Sequence, residues 1–177
     1  MAELRISDIA AGPAAERRVE VMWQDGAARR VAVAEFASPP QEQAGERVRW
    51  YLEDYAEFPA DPAPVIARQA EDQLAQQGTD LFRQVFEANP DTMRVWDAAA
   101  AALADARVEV DTDPGVGPGL AWELLRDPAR DQPVALGAGA FVRTHLRATG
   151  HPELPEPAGD RLRVLLVIAR PGGRADV

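Results

Sequence analysis

The sequence predicts an α/β protein, and three observations carry that prediction. Six apolar residues follow one another without alternation from Val164 to Ala169, which is typical of a strand buried on both faces of a parallel sheet. Two segments, at 17–23 and 29–36, alternate between apolar and polar residues and predict strands with one buried face. Apolar residues at helical spacing between 66 and 86 predict the helical layer that would cover such a sheet.

Composition bounds the class of protein and its partners. The chain has 177 residues, of which 46% are hydrophobic, enough for one core or for one domain with an appendage. A net charge of −10 argues against binding to nucleic acid or to an anionic membrane through bulk electrostatics. The sequence has no apolar run of membrane-spanning length, and its start lacks the features of a secretion signal. We therefore expect a cytoplasmic protein with neither a nucleic-acid nor a membrane partner.

The absence of cysteine restricts the chemistry further. With no cysteine, disulfides, thiolate metal sites and a cysteine nucleophile are excluded within these 177 residues. A serine nucleophile would be Ser7 or Ser38, paired with His145 or His151, and neither serine stands in a context that suggests a triad. The sequence therefore predicts no catalytic residue, no metal ligand and no cofactor in this chain.

Residues 1–40 are predicted to form a first domain, an N-terminal β-ribbon. The Asp-Gly pair at 25–26 separates the two alternating segments, and this pair is a strong hairpin signal because the turn needs positive φ. Val19 and Trp23 fall on the same face of the first strand. Because a lone ribbon is only marginally stable, we expect it to pack on another part of the protein.

Residues 41–105 are predicted to form a helical segment. The pattern indicates a helix at 46–55 and, after a proline-rich connection, a longer helical stretch at 66–86. The longer stretch forms either one helix or two helices divided at Gly78. Asn-Pro at 89–90 predicts the N-cap and the first residue of a further helix.

Residues 106–177 are predicted to form the start of an α/β domain. Residues 107–111 alternate as a strand does, residues 134–144 are typical of a strand or ribbon, and the buried strand follows at 162–169. Between the first two of these, residues 120–125 predict a short helical turn.

That helical turn carries three large apolar side chains. Trp122 and the two leucines that follow Glu123 predict a compact group that packs into the core, and the alternative is a tryptophan that binds a ligand. Glu123 and Arg126 stand three residues apart, so we expect them to pair.

Three segments resemble the CHAT family, bacterial caspase-like peptidase domains that are often associated with TPR repeats. Residues 120–128, Leu-Ala-Trp-Glu-Leu-Leu-Arg-Asp-Pro, resemble the PWELLRDP-type motif of that family. Residues 162–177 are similar to its first core strand and the loop that follows, and residues 49–59 are similar to an RWYLE-Y--FP stretch found upstream. The resemblance covers roughly residues 46–177, and it departs from the family at Ala121, where proline is usual.

The resemblance implies a fold and a place for the chemistry. It implies the N-terminal part of a caspase-like αβα sandwich, preceded by the β-hairpin and the helical segment. It also implies a histidine–cysteine dyad on later strands, beyond the equivalent of Val177, so this chain would be truncated before the dyad. We therefore expect a non-catalytic half with a scaffolding or regulatory role, whose partners are the remaining C-terminal half and a protein substrate or partner protein.

Arg170 is the candidate substrate-binding residue. It directly follows the predicted buried strand, and α/β folds place their sites at the carboxyl ends of such strands. The alternative is a solvated surface arginine. For the whole chain, the alternative function is a stand-alone protein–protein interaction module without peptidase activity.

Overall fold

The structure is a computed structural model, and it describes residues 2–10, 16–37, 50–55, 60, 62–112 and 120–145. The main elements, in chain order, are β1 (Glu3–Ala10), β2 (Glu16–Asp25), β3 (Ala28–Ala37), α1 (Ala63–Phe86), α2 (Pro90–Ala100), β4 (Arg107–Thr112), β5 (Arg126–Asp127), β6 (Gln132–Pro133), α3 (Val134–Gly137) and β7 (Ala140–His145). Single turns of 3-10 helix lie at Leu103–Asp105 and Trp122–Leu124.

Five of the strands form one mixed sheet in the order β3-β2-β1-β4-β7. β2 is antiparallel to both β1 and β3, whereas β4 is parallel to both β1 and β7. The short strands β5 and β6 make a separate two-stranded ribbon. Together with the helices, this mixed sheet confirms the predicted α/β class.

The predicted hairpin is the β2–β3 pair. Asp25 pairs with Ala28 at its closed end, and Gly26 has φ +57°, the positive value that turns of this kind need. The ribbon packs beside β1 along its whole length. β1 was not predicted from the sequence as this central partner strand.

One face of the sheet, the inner face, carries the hydrophobic core. Leu4 and Ile6 of β1 lie beside Val108 and Val110 of β4 in register, and all four are fully buried. The helices contribute a packed aromatic cluster in which the ring centroid of Trp96 lies 5.0 Å from that of Phe82 and 4.9 Å from that of Phe86. Rings at such distances pack with favourable tilted and edge-on geometry.

α1 runs as a single helix through Gly78. Gly78 is buried, and a Cβ atom there would overlap the carbonyl oxygen of Leu124. Glycine in a helix interior costs roughly 0.5–1 kcal/mol relative to alanine, and here it allows the segment containing Trp122 to approach the helix backbone. Of the two predicted alternatives, the structure therefore has the undivided helix.

The predicted start of α2 is confirmed. Asn89 is its N-cap, and its Oδ1 accepts hydrogen bonds from the backbone N–H groups of Asp91 and Thr92. Pro90 takes the first helical position, where the missing N–H of proline has no intrahelical partner to lose.

Two local predictions need correction. Residues 134–144 do not form one strand, because α3 occupies their first four residues and β7 begins only at Ala140. Glu123 and Arg126 do not pair with each other. The helical turn ends at Leu124 and Arg126 lies in β5, so the two side chains are not on one helical face, and Arg126 pairs with Asp131 at 2.9 Å.

Several predictions fall partly or wholly outside the described residues. The buried strand at 162–169 and Arg170 lie there, and of the helix at 46–55 only a helical turn at 50–53 is described. The division into domains at 1–40, 41–105 and 106–177 stays a prediction. Strands from the first and third of these segments are neighbours in the same sheet.

Candidate functional site

Polar side chains, most of them buried, gather at the carboxyl ends of the parallel strands. β1, β4 and β7 run in the same direction, so their carboxyl ends meet at one edge of the sheet, where α/β proteins bind their ligands. Asp8 of β1 and Thr112 of β4 lie side by side in register at this edge, with 3% and 9% of their surface exposed. We call Asp8, Arg17, Thr112, Trp122 and Arg143 the carboxyl-edge cluster.

Asp8 is buried because of its position in the strand. Side chains alternate along β1, so Asp8 shares the inner face with Leu4 and Ile6. Arg17 at the start of β2 is also buried, and its Nη1 donates to Oδ2 of Asp8 at 2.7 Å. A buried ion pair of this kind offsets only part of the cost of desolvating its two charges.

Burial raises the pKa of the Asp8 carboxyl above its ordinary value of 3.8. The guanidinium of Arg17, the indole N–H of Trp122 and the more distant guanidinium of Arg143 each oppose this rise, but desolvation outweighs them. Asp8 therefore holds a proton more strongly than an exposed aspartate does.

Two polar atoms of the cluster are left without a partner among the described residues. They are Oδ1 of Asp8 and Nε1 of Trp122, both buried. The influence of the indole N–H on the Asp8 pKa indicates that the two groups lie close together, although they do not meet the geometry of a hydrogen bond. We interpret the pair as a close electrostatic contact in which the carboxylate oxygen and the indole N–H can each still form a hydrogen bond.

Arg143 of β7 fixes the segment that carries Trp122. Its Nη2 donates to the backbone carbonyl of Leu120 and to Oε2 of Glu123, each at 2.9 Å. At the other end of the segment, the carbonyl of Leu125 accepts a hydrogen bond of 2.7 Å from the N–H of Val134. With Gly78 against the carbonyl of Leu124, the segment is held by a helix and a strand at once.

The opposite, outer face of the sheet carries a network of charges. Arg5 and Arg107 both pair with Glu109, at 3.3 Å and 2.9 Å. Beside them Asp111 accepts a hydrogen bond from the hydroxyl of Thr144. Burial raises the pKa of the Asp111 carboxyl, the Arg5 guanidinium lowers it, and the neighbouring carboxylates raise it further.

A cavity of about 290 Å³ lies between the end of α2 and α3, apart from the carboxyl-edge cluster and from the charges of the outer face. Alanines line much of it. Its arginine, Arg130, already donates to the carbonyl of Ala100 at 2.7 Å, and its buried carboxylate, Asp127, accepts from the N–H of Ala129 at 2.9 Å. These two polar side chains therefore stabilise the fold locally.

The carboxyl-edge cluster can accept and donate hydrogen bonds and can hold a proton on Asp8. The chain has no thiol, and Ser7 points to the outer face, away from Asp8. In the part of the chain that the structure describes, no three acidic or histidine side chains are grouped as a metal site would require. Of the helices described, none is both long and apolar enough to cross a membrane.

The residues predicted from the sequence and those of the cluster overlap only at Trp122. Its predicted burial is confirmed, with 0% of its surface exposed, whereas Arg170 lies outside the described residues. Asp8, Arg17, Thr112 and Arg143 were not predicted from the sequence. One signal in the sequence could have identified Asp8. It follows Leu4 and Ile6 at the same two-residue spacing, so alternation along the strand places its carboxylate on the same buried face.

Comparison with known proteins gives no matching family model, no matching curated protein and no matching solved structure.

Proposed function

We propose that this chain is the N-terminal, non-catalytic half of a CHAT-domain caspase-like cysteine peptidase. The carrying observation is the setting of residues 120–128, the segment with the most distinctive resemblance to that family. Trp122 is fully buried, Arg143 holds the start of the segment, and Gly78 admits its backbone against α1. A motif fixed in this way acts as scaffold.

The groups present in the carboxyl-edge cluster are consistent with a non-catalytic role for this half. A peptidase of this family needs a thiolate nucleophile and a histidine base, and the chain contains no cysteine. In the proposal, the remaining C-terminal half of the domain supplies both catalytic residues, and the finished molecule has the caspase-like αβα sandwich. We place the protein in the cytoplasm, where such a thiol stays reduced.

Arg170 is the proposed substrate contact of the complete peptidase. An arginine after a buried strand can bind a carboxylate or a carbonyl of a protein substrate. In the complete protein, Arg170→Ala should lower peptide cleavage and leave the melting temperature nearly unchanged. Arg94→Ala, at an exposed position of α2, is the control, and equal activity of the two variants would remove Arg170 from the site.

Reading the gene beyond codon 177 tests the proposal directly. We expect an open frame that continues to a His-Gly pair and a strand containing cysteine. The protein made from that frame should cleave peptides, and replacing the cysteine with alanine should abolish cleavage. A stop codon at that point, with no second chain that supplies the dyad, would contradict the proposal.

A stand-alone interaction module is the second candidate. It is favoured by the long edge strand β3, which has partly exposed apolar residues such as Val31. In that case the protein would bind a partner and no cleavage would occur. Full function of the 177-residue chain in the absence of any catalytic half would favour this candidate over the first.

A further inference from the structure

β3 is the last strand on its side of the sheet in the described residues, and one contact occupies its open edge. Nδ2 of Asn89 donates to the carbonyl of Val33 at 3.0 Å. The backbone N–H and C=O groups of successive strand residues point to alternate sides of the strand. The contact at Val33 therefore shows which residues of β3 direct these groups toward the open edge. Arg29, Val31 and Glu35 have the same parity as Val33, so their N–H and C=O groups also face the open edge.

The outward residues of β3 are complementary to those of a second copy. When two β3 strands meet antiparallel with Ala32 opposite Ala32, Arg29 lies opposite Glu35 and Val31 opposite Val33. Every directly opposed pair on the outer face is then either oppositely charged or β-branched and apolar, combinations that stabilise antiparallel pairs. The Glu35 side chain is 74% exposed, and its contact with Arg18 is long, at 3.9 Å, so it is available to such a partner.

Asn89 obstructs this pairing while it caps a helix. Its Oδ1 satisfies the first N–H groups of α2, and its Nδ2 takes the carbonyl that a second β3 strand would use. Natural proteins protect edge strands with devices of this kind, because an open edge pairs with other chains. The two functions of the side chain reside on different atoms, so they can be separated by substitution.

We propose that β3 is a docking strand for a second copy of this chain, and that Asn89 keeps it closed. The occupant is the antiparallel β3 of the second copy in the register that opposes Arg29 and Glu35. The inference does not depend on the proposed peptidase relationship, because it uses only the described sheet edge.

Substitution of Asn89 provides the first test. Asn89→Ser and Asn89→Asp both keep an oxygen for the helix cap but remove the donor to Val33. Because each protomer loses one competing hydrogen bond, we expect the dimer dissociation constant to fall at least tenfold in sedimentation equilibrium. Circular dichroism melts verify that both variants fold. If both remain as monomeric as the unaltered protein, the proposal is overturned.

Two further sets of variants test the edge and the register in the Asn89→Ser protein. Val31→Pro removes an outward N–H that β2 does not use and should abolish dimerisation, whereas Leu136→Ser, which removes a side chain 75% exposed elsewhere, should not affect it. Arg29→Glu and Glu35→Arg should each weaken the dimer at least fivefold, and combining them should restore it. A dimer insensitive to Val31→Pro, or one that the double reversal fails to restore, overturns the proposal.

Discussion

Asp8 illustrates how a single position in a strand can set the chemistry of an edge. Alternation along β1 directs its carboxyl to the inner face. Among the described residues, its burial is offset by Arg17, at 2.7 Å, and by smaller effects of the indole and Arg143. Because desolvation still prevails, the folded protein favours the protonated carboxyl more than the unfolded chain does. Its stability therefore depends on pH through this residue.

The pH dependence has a definite sign. With the folded pKa above the unfolded value of 3.8, the native state binds more protons than the unfolded state between the two values, so Asp8 contributes less stability as pH rises through that window. Asp8→Asn keeps the shape and cannot ionise. We expect the melting temperature of the unaltered protein, relative to Asp8→Asn, to fall as pH rises above about 4.

Thermal melts of both proteins in matched buffers measure that difference, and the other titrating groups, Asp111 among them, are common to both. Asp97→Asn, at an exposed position, controls for the loss of one carboxylate. If the melting temperature of the unaltered protein, relative to that of Asp8→Asn, stays constant or rises with pH, Asp8 ionises at least as freely in the fold as in the unfolded chain.

Trp122 provides the largest single side chain of the core beside this edge. Replacing it with alanine leaves a cavity that the surrounding helix and strands can only partly fill. We expect Trp122→Ala to lower the free energy of unfolding by about 3–5 kcal/mol. Urea titration measures the loss, and Trp122→Phe, which retains an aromatic ring, should cost clearly less. Equal stability of Trp122→Ala and the unaltered protein would contradict the burial on which the scaffold role depends.

At the scale of elements, α1 and the Trp122 segment depend on each other. An alanine normally stabilises a helix interior by roughly 0.5–1 kcal/mol relative to glycine. At Gly78 the added methyl group would overlap the backbone carbonyl of Leu124, and a backbone atom cannot move away as a flexible side chain can. The steric effect should therefore exceed the helical gain.

We expect Gly78→Ala to destabilise the protein by about 1–3 kcal/mol, the usual cost of overpacking. Gln69→Ala, at an exposed position of the same helix, should change stability by less than about 0.5 kcal/mol. Chemical denaturation of the two variants measures both effects. A stabilising Gly78→Ala would mean that the helix and the segment are not in contact.

Elements with a local signal were predictable, and elements determined by distant partners were not. The β2–β3 hairpin has its Asp-Gly turn, and α2 has its Asn-Pro cap, so the sequence alone located both. α3 has no such signal: it has four residues, and no side chain caps its start. The Glu123–Arg126 pair failed for a related reason: β5 turns Arg126 toward Asp131.

The site was harder to predict than the fold. Trp122 could be found because large apolar residues stand together in the sequence. Arg17 and Arg143 are separated by more than a hundred positions, and they approach Asp8 only because β1 is the centre of a mixed sheet. Such long-range parallel pairing between β1 and β4 leaves no local pattern in the sequence.

At the scale of the molecule, β1 joins the antiparallel and parallel halves of the sheet. On one side it pairs with the hairpin, and on the other it pairs with β4 and, through it, β7. The carboxyl ends of β1, β4 and β7 consequently share an edge that holds a buried ion pair and the Trp122 segment. This edge has fixed donors and acceptors, but it has no thiol that could attack a peptide bond.

The 177-residue chain by itself should therefore cleave no peptide bond. Its only sulfur atoms belong to three methionines, and a thioether cannot form the thiolate on which cysteine peptidases depend. A serine in its place would need a partnered histidine. Ser7 is only 8% exposed, on the face opposite Asp8, and Ser38, the other serine, directly precedes Pro39 and Pro40 in the sequence. We expect no turnover when the purified chain is incubated with a broad library of fluorogenic peptides. An unrelated active cysteine peptidase shows that the library responds. Turnover that survives repurification and is lost in Ser7→Ala or in Ser38→Ala would refute both the prediction and the non-catalytic role.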